Sequence, residues 1–140
     1  RFPDALPVPG LVLVRLDAQL YFANAAFLRE TLLRLIDEAK TPVHAVVLDA
    51  SGIHDVDVSA LAALREVHRT LTAQGIAFHF AAVTGPVRDV FARSGFQDEL
   101  GVDRFSLTMH EAVQRALGEP LPFDARVVQS DPPGRNLARA

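Results

Sequence analysis

The sequence has no cysteine and only one lysine, Lys40, among its 140 residues. Without thiols there is neither a disulfide staple nor a thiolate metal site, a composition compatible with a reducing compartment. A nucleic-acid partner is excluded on charge: the formal net charge is −3 and the pI is near 5.9, whereas phosphate neutralisation needs clustered Lys and Arg. No apolar run approaches the roughly 20 residues that span a bilayer. The stretch Ile76–Val83 is short and broken by His79. The opening ten residues carry three prolines and an acid where a secretory signal would have an apolar core. Residues 1–10 read as a linker cut from something longer.

What is present suits one domain. Hydrophobic residues make up 49% of the chain and include nine phenylalanines, enough for a core in a chain of this length without metal or disulfide support. Leu11–Leu16 reads as a strand, and Leu20-Tyr21-Phe22 as a second one joined to it in a hairpin. From an N-cap at Asn24, Phe27, Leu28, Leu32, Leu35 and Ile36 recur at helical spacing until Thr41-Pro42. Val43–Leu48 is a β-branched run expected of a strand buried on both faces. Asp57 is placed to cap a second helix with the stripe Leu61, Leu64, Val67 and Leu71, closed by Gln74-Gly75. Ile76–Val83 follows as a strand, then a helix opening at Thr84-Gly85-Pro86 and ending at Gly95. A polar connector after Phe96, a short edge strand at Phe105-Ser106-Leu107 and a last helix over residues 108–117 complete the order. The domain is expected over residues 11–118, with 119–140 a flexible, proline-bearing tail. Strands alternating with helices predict an α/β fold, with a mixed, mainly parallel sheet of four to five strands and helices packed against it. Helix N-termini then line one sheet edge, where such domains usually bind ligands.

The loop from Asp49 to Ala60 concentrates chemistry, with Asp49, Asp55, Asp57, His54, Ser51 and Ser59 between a buried strand and a helix. A phosphate on Ser59 would meet free backbone amides and the helix dipole. The plainer alternative has Asp57 as an ordinary N-cap and Ser59 bonding locally. His54 with Asp55 and Asp57 lacks the convergent spacing of a metal or acid/base site, so no catalytic residue, metal or cofactor is expected. His44 and His79 read as packed or edge strand residues, His68 and His110 as solvent-side helix positions. Thr84, Gly85 and Arg88 offer a helix N-terminus and a guanidinium to an anion or nucleotide, without a P-loop or dinucleotide fingerprint. Alternatively Arg88 pairs with Asp89, Asp57 or another nearby acid. The phenylalanines from Phe78 to Phe105 read as core.

The run Val46-Val47-Leu48-Asp49-Ala50, then Ile53 and Asp55-Val56-Asp57-Val58-Ser59-Ala60, resembles the STAS signature shared by bacterial anti-sigma factor antagonists and the cytoplasmic ends of SulP transporters. Leu20-Tyr21-Phe22-Ala23-Asn24-Ala25, Gly85-Pro86-Val87-Arg88-Asp89 and Ser94-Gly95-Phe96 are similar to the SulP branch in particular. In the anti-sigma factor antagonists the loop motif is Asp-Ser-Ser-Gly, and a kinase phosphorylates the first serine. Matched by position, Asp57 takes the aspartate, Val58 the phosphorylated serine, Ser59 the second serine and Ala60 the glycine. Val58 has no hydroxyl, which favours the transporter branch and leaves Ser59 as a weak substitute acceptor.

The resemblance implies a STAS fold and a non-catalytic regulatory and protein-interaction module. It would be attached to the membrane domain of a sulfate permease-like anion transporter, at the cytoplasmic face of the inner or plasma membrane. Its expected partners are that membrane domain, a second STAS protomer or a cytosolic protein. Two alternatives stay open: a stand-alone anti-sigma factor antagonist, and a nucleotide- or anion-sensing domain.

Overall fold

A computed structural model describes residues 6–118. The expected tail beyond Gly118 and the first five residues lie outside the described residues.

One sheet of five strands, in the order β1-β2-β3-β4-β5, organises the chain. Strands β2 (Leu11–Arg15), β3 (Ala45–Asp49), β4 (Ala77–Ala81) and β5 (Phe105–Ser106) run parallel. Strand β1 (Leu6–Val8) pairs antiparallel with β2, Val8 opposite Leu11. Residues 6–8 thus form an edge strand inside the segment read as linker. The hairpin expected between Leu11–Leu16 and Leu20-Tyr21-Phe22 does not form. Leu20 instead makes a lone parallel bridge to Val56, and Phe22 opens helix α1 (Phe22–Glu38). Asn24 is not its cap: Tyr21 holds that position, and Asn24 Nδ2 donates to the Gln19 carbonyl at 2.5 Å.

Strand alternation divides the core. Val12, Val14, Val46, Leu48, Phe78 and Phe80 face one way and are buried with α1, α2 (Val58–Ala73), α3 (Gly85–Ser94) and α4 (Phe96–Leu100). The predicted α2 stripe of Leu61, Leu64, Val67 and Leu71 is buried in this layer. Leu11, Leu13, Ala45, Val47 and Ala81 face the other way under α5 (Met109–Ala116), whose Ala112 and Ala116 reach them. Each fully buried Leu or Phe contributes about 1.5–3 kcal/mol by leaving water.

Aromatic packing centres on Phe80. Its ring lies 4.8 Å from Phe78, 5.4 Å from Phe91, 5.8 Å from Phe96 and 5.3 Å from Phe105, the last stacked at 15°. Gly95 makes this possible. At φ 85° it is in the left-handed region, ends α3 and starts α4 at once, and so folds Phe96 back onto Phe91. The stretch expected as a polar connector is therefore helix α4 and a 3-10 turn at Val102–Arg104. Phe96 and Leu100, four residues apart, anchor α4, and both are buried. The final helix is capped by Thr108, whose Oγ1 accepts from the Glu111 amide at 3.1 Å.

Candidate functional site

Each of β2, β3 and β4 runs into a helix, so the N-termini of α1, α2 and α3 share the C-terminal edge of the sheet. The loops there are tied together. Leu20 N–H donates to the Asp55 carbonyl at 2.8 Å, and Asp57 N–H to the Leu20 carbonyl at 3.1 Å. Thr84 Oγ1 donates to the Ile53 carbonyl at 3.1 Å. Ala82, at φ 58°, holds the left-handed conformation that lets the chain turn there while its N–H reaches the Ser106 carbonyl.

Asp49 is tied into the wall of this edge. Its Oδ1 accepts from the Ser51 amide at 3.0 Å and its Oδ2 lies 3.3 Å from Arg15 Nη1. Arg15 also bonds Ser51 Oγ at 3.1 Å and Asp17 at 2.9 Å. Hydrogen bonding to Asp17, then the charges of Asp17 and Asp49, hold the Arg15 guanidinium above its ordinary pKa. The β3–α2 loop is thereby clamped to β2. Gly52 completes the clamp: a Cβ there would sit 3.0 Å from the Asp17 Cα and inside the Asp17 carboxylate.

Asp57 caps α2, its Oδ1 accepting from the Ala60 amide at 2.9 Å and from Ser59 Oγ at 2.7 Å. The hydrogen bond from Ser59, followed by that from the Ala60 amide, pulls the Asp57 carboxyl below its ordinary pKa. The Ser59 hydroxyl is therefore engaged within the first turn. His54 and Asp55 are exposed beside it. Among the described residues no group of three or more His, Asp or Glu is placed to hold a metal ion. At the third helix, Arg88 Nη2 donates to the Val83 carbonyl at 2.9 Å, taking a backbone partner where a carboxylate was the expected alternative. Gly85 is exposed with open space beside it.

Sequence reasoning missed the apolar character of this edge. Val58 is 82% exposed, Tyr21 49% and Phe22 59%. The Leu20–Val56 bridge sets the start of α1 beside the start of α2, so three large apolar side chains stand in water on adjoining turns. The signal was present in Tyr21-Phe22, which an assignment to a hairpin strand concealed. Arg15 was also missed, although it is the only charged residue in β2.

The STAS domain family profile matches residues 3–112. The chain belongs to the STAS domain family. This STAS domain is 37% identical over 113 residues to a probable sulfate transporter of Mycobacterium tuberculosis, covering 81% of this chain and 20% of that protein. It is 32% identical over 130 residues to low affinity sulfate transporter 3 of Stylosanthes hamata, covering 84% of this chain and 20% of that one. The chain thus spans about a fifth of the length of the curated relatives it matches. Among solved structures, the murine anion transporter Slc26a9 superposes with a TM-score of 0.70 at 23% identity, over 81% of this chain and 19% of that one. The unphosphorylated anti-sigma factor antagonist SpoIIAA gives 0.67 at 20% identity, over 84% and 98%. At these identities the structural likeness establishes the fold, which is the expected one. Among the described residues no helix is long and apolar enough to cross a membrane.

Proposed function

We propose that this STAS domain is the cytoplasmic, non-catalytic regulatory module of a SulP-type anion transporter, and that it acts by docking the edge formed by Tyr21, Phe22 and Val58 against the transporter's membrane domain. The exposed Val58 carries this reading. It occupies the position matched to the phosphorylated serine of the anti-sigma factor antagonists, and with Tyr21 and Phe22 it gives an apolar surface. A surface of this kind gains by leaving water, whereas a phosphoswitch needs a hydroxyl there. The full-length sulfate transporters that match at 37% and 32% identity support the attachment to a membrane domain. The fold similarity to SpoIIAA supports the stand-alone antagonist only at the level of architecture.

Two measurements test the reading. Sequencing the gene upstream of Arg1 should reveal a series of apolar segments of about 20 residues each; a start codon adjoining Phe2 would overturn the attachment. In the full-length protein, Val58→Asp and Phe22→Asp should change the rate of radiolabelled anion uptake several-fold at equal membrane expression. Uptake identical to that of the unsubstituted protein would overturn the docking role.

A further inference from the structure

At the opposite end of the parallel strands, under α5, lies a cleft of about 480 Å³ that the docking edge does not touch. Its walls come from four separate parts of the chain: His44 just before β3, Ala77 and His79 of β4, Asp103 and Arg104 of the 3-10 turn, and Arg115, Ala116 and Gly118 at the end of α5. The volume falls in the range of small-molecule sites.

Three features of the lining point to one kind of occupant. His79 is only 4% exposed, and its Nδ1 is buried with no hydrogen-bond partner among the described residues. That nitrogen has almost no accessible surface, so it lies behind the cleft wall, and an occupant of the cleft acts on the ring through its charge. Arg104 makes no side-chain hydrogen bond or ion pair among the described residues, although it is only partly exposed. Arg115, by contrast, is already fixed: its Nη1 donates to the carbonyls of Asp103 and Phe105 at 3.2 Å each, and its Nη2 lies 3.0 Å from Glu111. One guanidinium is therefore held in the wall and a second is available, in a cleft whose lining also includes the His79 ring.

We propose that this cleft binds an oxyanion, sulfate or phosphate, free or carried on a small organic molecule, with the Arg104 guanidinium as its donor, Arg115 supplying a fixed positive charge and the His79 ring in the wall beside them. The guanidinium fork matches such an anion in charge and geometry. Burial first, and then the positive charge of Arg104, with Asp103 opposing and Arg115 adding, push the His79 imidazole down to about 4. His44 lines the same space. An anion between Arg104 and His79 would favour the imidazolium and raise that value.

Long-range proton–nitrogen NMR of the histidine rings in the 140-residue chain tests the assignment, with sulfate, inorganic phosphate and adenosine monophosphate titrated separately at constant ionic strength. At least one of the three should shift the His79 ring nitrogens and raise its pKa by about one unit or more. Arg104→Ala, at a residue whose side chain holds no structural bond, should weaken that response about tenfold or more. A response to the inorganic ions assigns the free anion; a response to the nucleotide alone assigns the esterified form. Backbone amide shifts at Arg104 and Ala116 provide a second readout that does not depend on seeing the ring. Ring and amide signals unmoved by about 10 mM of every anion, or moved equally in Arg104→Ala, would overturn the proposal.

Discussion

Ser59 donates its hydroxyl proton to Asp57 Oδ1 at 2.7 Å, on the same oxygen that accepts the Ala60 amide at 2.9 Å. The hydroxyl and the cap are one unit, and the serine supports the helix start. Asp57→Ala removes the acceptor of both hydrogen bonds and should lower the melting temperature by a few degrees, with Asp57→Asn intermediate. Because the Asp57 pKa is lowered on folding, its contribution is present above the ordinary value of 3.8 and is lost as pH falls through the lower folded value. Thermal melts of the unsubstituted protein and the two variants at neutral pH and below pH 3 measure this, and the difference between the unsubstituted protein and Asp57→Asn should shrink in acid.

Gly52 lies against the Asp17 backbone, so any side chain there displaces the carboxylate that holds Arg15. Gly52→Ala should cost about 1–3 kcal/mol, the usual range for forcing atoms into filled space. Urea denaturation reads it directly. A double variant with Asp17→Gly should recover part of the loss, because the clash is with that residue.

Phe80 touches four other phenylalanine rings. Phe80→Ala should destabilise by about 3–5 kcal/mol, a large part of the 5–15 kcal/mol that holds a typical domain together. Phe80→Leu keeps most of the volume and should leave a folded domain with a lower urea midpoint. Equilibrium unfolding with far-ultraviolet circular dichroism separates the two cases.

His79 titrates at about 4 in the folded protein, against an ordinary value of 6.5. Between those values the unfolded chain binds a proton that the folded one refuses. Stability should therefore fall as pH drops through that window, by at most about 1.4 kcal/mol per pH unit. His68, also lowered by burial, acts in the same direction. Replacing His79 with Phe should flatten the slope between pH 6.5 and about 4, measured by urea midpoints.

The strands and helices that bury continuous apolar surface were legible in the sequence. β3 and β4 read as runs of Val, Leu and Phe, and α2 as a four-residue stripe with its aspartate cap, because burial selects those side chains directly. The segments that failed were those in which the local signal pointed elsewhere. Pro7 between Leu6 and Val8 looks like extended linker, and only the pairing of β1 with β2 makes it sheet. Gln97-Asp98-Glu99 looks like a connector, and the helix is visible only once Phe96 and Leu100 are seen to share a buried face. Of the signature loop, Asp57 could be placed from its position ahead of an apolar stripe. The Arg15 clamp could not, because it joins residues 34 and 36 positions apart. The cleft under α5 was invisible for the same reason: His44, His79, Arg104 and Arg115 become neighbours only through the strand order.

The sheet ends in strands of three residues on one side and two on the other, and the three-residue strand has a proline at its middle. A proline offers no N–H to a further strand, and a two-residue edge offers almost no ladder to extend. Among the described residues neither border offers a long ladder to a foreign strand, which disfavours zipping of crowded copies into a continuous sheet. Recognition is left to side chains on helices and loops, which bind reversibly and discriminate by shape.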